Sequence, residues 1–319
     1  MRAFQVTDYN QTSFTTDAVK PEPAKGEVLI RAHACALNFA DLLMVKGTYQ
    51  EKPPLPFSPG MEVAGEVVAL GEGVTQPAIG TRVAVFGGNG GLAEFGAFPA
   101  ELCVALPDTM DFTTAAAFQV AYSTSHVALD YRADLKAGET LLVTGAAGGV
   151  GLTAVELGKK MGAKVIAAAR GANKLAVARD HGADHLINTE TDDLREEVKA
   201  LGGADVVYDT VGGELFAAAL RACRPEARVL TIGFASGDVP QIAANHILVK
   251  NISVLGFYWG GYLKFKPQVL TDSLNQLFAM HAAGELKPHI SHQYKLEDAG
   301  QGLEVLRSRK STGKVVITL

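Results

Sequence analysis

Gly145-Ala146-Ala147-Gly148-Gly149-Val150-Gly151 is the segment whose residue types and spacing speak most directly of chemistry. It follows a short apolar run, Thr140–Thr144 (TLLVT), and precedes a stretch of helical composition over residues 152–161. Glycines between a strand and a helix suit a nucleotide pyrophosphate. Gly145 permits the tight turn, Gly148 lets backbone approach the phosphates, and Gly151 lets helix pack closely on strand. The helix start adds N–H groups and the positive end of its dipole. One glycine motif is weak evidence alone, but here strand, helix and the following strand stand at the expected spacing. A dinucleotide is the ligand this arrangement implies.

The end of the next strand selects the nucleotide. An NAD site needs Asp or Glu there, about 20 residues past the glycines, to accept from the ribose 2′-hydroxyl. This chain has Ala167-Ala168-Ala169-Arg170-Gly171 instead. Arg170 stands where a 2′-phosphate would lie, and Lys174 can reach the same group as a point charge. NADP(H) is the expected cofactor; two ordinary surface charges are the alternative.

The elements that must hold this site follow a repeating pattern. Strand-like runs at Thr140–Thr144, Lys164–Ala169, 184–188, 205–209, 228–234 and 252–257 alternate with helical segments at 173–181 and 194–201. Near-continuous apolar strands separated by helices imply a parallel sheet covered on both faces. Upstream, the first ~110 residues are β-rich, with alternation over 27–33, Glu62–Leu70 and 81–86. Pro53, Pro54, Pro56 and Pro59 exclude regular structure between them. An Ala-rich helix over 113–129 reads as the hinge. An amphipathic helix carries Leu270, Leu274, Leu277 and Phe278, and a last strand at 314–319 is superfluous to the parallel sheet.

Composition excludes several classes. Hydrophobic residues make up 48% and charged residues 20% of 319, a globular balance. With 29 Lys+Arg against 34 Asp+Glu the net charge is −5, so nothing drives the chain generally toward nucleic acid. Cys35, Cys103 and Cys223 are too scattered for a disulfide framework or a zinc knuckle. The longest stretch without charged side chains, 112–129, is too polar to span a membrane. No secretory hydrophobic segment opens the sequence, and a cytoplasmic protein is expected.

Several motifs in order resemble the zinc-free quinone oxidoreductases of the medium-chain dehydrogenase/reductase superfamily, the zeta-crystallin-like group. They are Asn38-Phe39-Ala40-Asp41, Gly47-Thr48-Tyr49, Pro59-Gly60-Met61-Glu62-Val63-Ala64-Gly65, Ala121-Tyr122-Ser123-Thr124, the glycine loop, and Thr312-Gly313-Lys314-Val315-Val316. The resemblance spans the whole chain. It implies an α/β fold: a doubly wound Rossmann sheet inserted into a β-rich GroES-like catalytic domain, with boundaries at 1–122, 123–262 and 263–319. Zinc-dependent relatives carry a Cys where Asn38 stands and a His where Met61 stands. A catalytic zinc needs three protein ligands, so no metal is expected.

Roles follow from the same resemblance. Asn38 and Tyr49 would flank nicotinamide and substrate as the catalytic pair. Thr124 would bond near the nicotinamide, while Gly148, Gly149 and Val150 supply backbone to the pyrophosphate. Gly233, Phe234 and Ser236 would border the nicotinamide ribose and ring, and Phe257 and Trp259 would lie near the interdomain cleft or a dimer edge. Asn188-Thr189 replaces a Tyr that many members pack near the 2′-phosphate. The implied reaction is hydride transfer from NADPH to a quinone, with a proton from Tyr49 or solvent. Reduction of α,β-unsaturated carbonyls or enoyl thioesters is the enzymatic alternative, and a crystallin-like structural or RNA-binding role the alternative of another class. The expected partners are a small quinone or enone and a second copy of the chain, because 252–257 reads as an exposed edge strand.

Overall fold

Short apolar runs, buried over most of their length in β3 and β4, shape the N-terminal part into strands. In the computed structural model, which describes all residues Met1–Leu319, β1 (Ala3–Asp8) and β2 (Gln11–Thr15) form a hairpin. Then come β3 (Glu27–Leu37), α1 (Phe39–Val45), β4 (Glu62–Leu70), β5 (Arg82–Phe86), β6 (Phe95–Pro99) and β7 (Cys103–Ala105). Helix α2 (Phe112–His126) runs on as a π-helical turn, Val127–Arg132.

The strand–helix alternation then begins: β8 (Thr140–Thr144), α3 (Gly149–Lys160), β9 (Lys164–Ala169), α4 (Ala172–Asp180), β10 (His185–Asn188), α5 (Leu194–Ala200) and β11 (Ala204–Asp209). It continues through α6 (Gly213–Ala222), β12 (Cys223–Thr231), α7 (Ala244–Lys250), β13 (Ser253–Gly256), α8 (Trp259–Phe265) and α9 (Pro267–Ala282). The chain ends with β14 (Ile290–Lys295), α10 (Ala299–Arg307) and β15 (Lys314–Thr318).

Two units result: Met1–Val120 with Pro288–Leu319, and Ala121–Lys287. In the first, one sheet runs β14-β15-β3-β4-β5-β7, with β6 also on β3. Val28, Ile30, Leu37, Val63, Phe98, Val315 and Ile317 fill its core. The final strand is therefore part of this sheet, antiparallel to β3, which accounts for its being superfluous to the other. In the second unit all six strands are parallel in the order β10-β9-β8-β11-β12-β13. Every residue of β8 is buried, as its unbroken apolar run requires.

Two expected boundaries shift. The units divide after Val120 and after Lys287, not at 122/123 and 262/263. Helix α9 belongs to the second unit because it buries Leu270, Leu274, Leu277 and Phe278, and because Ser273 bonds to Ser123 and His126 there. The strand expected over 228–234 starts earlier and stops at Thr231, leaving Phe234 in a loop, half exposed.

Candidate active site

Register in the first unit brings three distant polar residues to one end of three adjacent strands. Val315 pairs with Leu37 and Ala36 with Glu62, so Lys314, Asn38 and Glu62 end up side by side. The Lys314 ammonium donates to Glu62 Oε1 at 2.5 Å and to Asn38 Oδ1 at 2.7 Å. Asn38 Nδ2 donates in turn to Glu62 Oε1 at 3.0 Å and to the Ala36 carbonyl at 3.4 Å. The second Glu62 oxygen accepts the Val120 N–H at 3.0 Å. Glu62 is 0% and Lys314 6% exposed, so this ion pair lies out of water.

Asp41 backs this group. Its carboxylate accepts the Asn38 N–H at 2.7 Å, starting α1, and the Gly60 N–H at 2.9 Å. Complete burial outweighs those bonds and pushes its pKa up to about 6. Met61 joins Val6, Met44 and Phe57 in an apolar cluster against which the half-buried Tyr49 packs. Asn38 and Tyr49 thus sit on the two flanks of α1, one at its start and one just past its end.

In the second unit the glycine loop is built as its spacing implies. Gly145 has φ +64°, and a Cβ on it would collide with the Thr210 hydroxyl. A Cβ on Gly151 would collide with the Gly145 carbonyl, whereas at Gly148 it would find that carbonyl 3.3 Å away. Gly148 is exposed, and no other atom lies within 4 Å of a Cβ placed there. The first intrahelical bond of α3 runs from the Leu152 N–H to the Gly148 carbonyl, so the N–H groups of Gly149, Val150 and Gly151 precede it.

The loop is braced from behind. Ser125 Oγ donates to the Val150 carbonyl at 2.8 Å and lies 2.8 Å from Thr153 Oγ1 and 2.9 Å from the Tyr208 hydroxyl. Thr153 donates to the Ala121 carbonyl at 2.9 Å. This hydroxyl cluster ties α2 to α3 and β11. Thr124, the residue singled out in the sequence, is buried next to it, and the contact with the loop comes from Ser125.

At the end of β9, Arg170 is exposed and Lys174 half-buried in the first turn of α4. The Asn188 side chain accepts the Gly171 N–H at 2.9 Å and thereby fixes the turn carrying Arg170. Beyond β12, Gly233 and Phe234 lie in the loop, and Ser236 Oγ donates to the Val211 carbonyl at 2.7 Å. Phe234 and Phe257 line a cavity of about 680 Å³ at the carboxyl ends of β12 and β13, walled by Tyr131, Tyr258 and Tyr262. Trp259 is different. It is buried, and its indole N–H donates to Ser123 at 2.9 Å, which makes it a packing element of this unit.

The sequence reading missed Lys314, Glu62, Ser125 and Thr153. Lys314 carried a signal, a cation opening an otherwise apolar terminal strand. The two hydroxyl residues carried none, because Ser and Thr in an Ala-rich helix and a glycine-rich helix read as filler.

Known proteins resemble this chain along its length. Residues 24–108 match the alcohol dehydrogenase GroES-like domain family, and 149–275 match the zinc-binding dehydrogenase family. A quinone oxidoreductase-like protein 2 homolog of Nematostella vectensis is 41% identical, covering 91% of this chain and 81% of that protein. The human synaptic vesicle membrane protein VAT-1 homolog is 32% identical, covering 94% of this chain and 81% of that protein. The Escherichia coli quinone oxidoreductase complexed with NADPH superposes with a TM-score of 0.94 at 28% identity, covering 100% of both chains. A zinc ion, which one family description names, does not fit the residues here. Asn38 offers an amide already bound to an ammonium, Met61 offers a thioether, and no three His, Cys, Asp or Glu side chains are grouped to hold a metal.

Proposed function

The chain belongs to the medium-chain dehydrogenase/reductase superfamily, among the quinone oxidoreductase-like proteins, and on that premise we propose that it is an NADPH-dependent reductase of quinones. Bound NADPH supplies the hydride. Gly149 and Val150 hold the pyrophosphate through backbone N–H groups, and Gly148, whose own N–H donates to the Gly145 carbonyl at 2.9 Å, lets it approach by having no side chain. Arg170 and Lys174 take the 2′-phosphate. Thr124, Gly233, Phe234, Ser236 and Phe257 border the nicotinamide and its ribose. Asn38 and Tyr49 face the reacting rings, and the reduced oxygen takes its proton from Tyr49 or water.

The observation that carries the reaction type is the 2.7 Å bond from the buried Lys314 ammonium to the half-buried Asn38 carboxamide. With an ammonium bound where a metal ligand would be needed, no Lewis acid polarises the acceptor. The acceptor must already be electrophilic, as a quinone is.

Mixing the protein with NADPH and a panel of quinones, enones and enoyl thioesters tests this. Rapid NADPH oxidation with quinones is the expected result. Turnover confined to enoyl thioesters would overturn the substrate assignment, and no binding of NADPH would overturn the cofactor.

The same proposal includes a dimer and a reducing compartment. Strand β13 is the outer strand of its sheet, and Leu248 and Val249 on the preceding helix are 76% and 73% exposed. A second copy pairing β13 to β13 covers such an edge. Three unpaired thiols suit the cytoplasm. No helix is long and apolar enough to cross a membrane.

A further inference from the structure

Asn38 is held on both sides of its carboxamide by opposite charges. Its oxygen accepts from the Lys314 ammonium at 2.7 Å, and its nitrogen donates to the Glu62 carboxylate at 3.0 Å. Turning the amide over would set NH₂ against the ammonium and the carbonyl oxygen against the carboxylate, two repulsive contacts in place of two attractive ones. Nor can the clamp slip. Glu62 is fixed by the Val120 N–H, and the backbone of Asn38 is fixed by Asp41.

Both protons of Asn38 Nδ2 are directed at protein acceptors, Glu62 and the Ala36 carbonyl. The oxygen has a second lone pair, since an amide carbonyl accepts two hydrogen bonds, and the neighbouring Asp41 N–H donates to the Asn38 backbone carbonyl at 3.0 Å. The half-buried side chain can therefore meet a ligand only through that oxygen.

We propose that Lys314 is a positioning residue for the reduction: with Glu62 it locks the Asn38 carboxamide in one orientation, so that Asn38 meets the bound nicotinamide or quinone as a hydrogen-bond acceptor. This rests on the reading of Asn38 as facing the reacting rings. Two consequences follow. A group that Asn38 recognises must bring its own proton, as a carboxamide N–H, a ribose hydroxyl or a hydroquinone O–H does. Asn38 does not stabilise a developing oxyanion.

A double-mutant cycle tests the assignment, read as kcat/KM for 1,4-benzoquinone under saturating NADPH, with thermal unfolding followed in parallel. Asn38→Ala and Lys314→Met should each lower turnover at least about tenfold. If Lys314 acts through Asn38, the double change should fall no more than about threefold below the worse single one, because the same interaction is lost only once. A purely structural lysine predicts that the two losses multiply, and that result overturns the proposal.

Lys314→Met alone leaves a buried carboxylate unpaired and could fail to fold. The paired variant Lys314→Met/Glu62→Gln removes both charges and keeps their volumes. It should recover thermal stability while turnover stays low, and its cycle with Asn38→Ala should again be non-multiplicative. Turnover restored along with stability would show that the ion pair serves folding only. An unmodified protein that neither binds NADPH nor reduces quinones defeats the underlying functional reading. An active unmodified protein with multiplicative losses defeats this inference alone.

Discussion

Asp209 and Thr144, the last residues of neighbouring strands β11 and β8, share a hydrogen bond of 2.5 Å with both side chains fully buried. The other Asp209 oxygen accepts the Gly212 N–H at 2.8 Å, and the Thr210 hydroxyl donates to the Thr144 carbonyl at 2.9 Å. This knot closes the sheet at the point where Gly145 begins its turn. Burial raises the pKa of Asp209, partly offset by its bonds to Thr144 and Gly212.

Thr144→Val keeps the shape and removes the hydroxyl, leaving a buried carboxylate short of one donor. The expected loss is about 1–3 kcal/mol in urea unfolding, together with weaker NADPH binding, because Gly145 follows directly. Thr144→Ser should lose less than half as much on both readouts. A valine variant as stable as the unmodified protein would show that the bond contributes nothing net.

Stability should carry an unusual acid-side slope from Asp41. Its folded pKa of about 6 lies above the ordinary 3.8. Between those values the folded state binds more protons than the unfolded one, so this group makes stability fall as pH rises through the window, then level off. A shift of that size corresponds to at most about 3 kcal/mol. Asp111, Asp184 and Glu94, whose pKa values are lowered, slope the opposite way. The curve for Asp41→Asn subtracted from that of the unmodified protein isolates the contribution. A difference that is constant from pH 4 to about 6.5 would contradict it.

The parts of this architecture legible in the sequence are those set by periodicity and by glycine. Six parallel strands announced themselves as apolar runs, and Gly145 and Gly151 as positions without room for a Cβ. What was not legible depends on register between remote segments. Lys314 and Glu62 are 252 residues apart and meet only because β15 and β4 both lie against β3. Helix α6 was also missed, although Phe216, Ala219 and Leu220 bury one face of it and its apolar residues recur at helical spacing. Placing α9 in the catalytic domain failed for a related reason. Its apolar stripe shows that it packs, while its partner is decided by Ser273 bonding to α2.

NADPH should be preferred over NADH. No carboxylate follows β9, and Asn188 fixes the turn from which Arg170 projects. Charge-assisted bonds to a 2′-phosphate are worth roughly 1.5–3 kcal/mol, about ten- to a hundredfold in affinity. Arg170→Ala with Lys174→Ala should erase most of that preference and leave NADH turnover nearly constant. Equal kcat/KM for both cofactors in the unmodified protein would refute the assignment.

Tyr49 decides between the two substrate classes. Hydride addition to a quinone or an enoyl thioester builds negative charge on oxygen or an adjacent carbon, and a phenol can protonate either. Its side chain packs against the apolar cluster that holds Met44, Phe57 and Met61, so Tyr49→Phe preserves the wall it forms. A reduced quinone oxyanion is stable enough to take its proton from water, and turnover of quinones should fall by less than about tenfold. A carbanion-like thioester intermediate has no such reserve. The same change there should lower kcat by about a hundredfold or more at unchanged NADPH affinity, the signature of an interaction made only in the transition state. Because Asn38 has both amide protons directed at Glu62 and Ala36, it cannot substitute as donor. A large loss with quinones would therefore place the essential proton on Tyr49 for both classes.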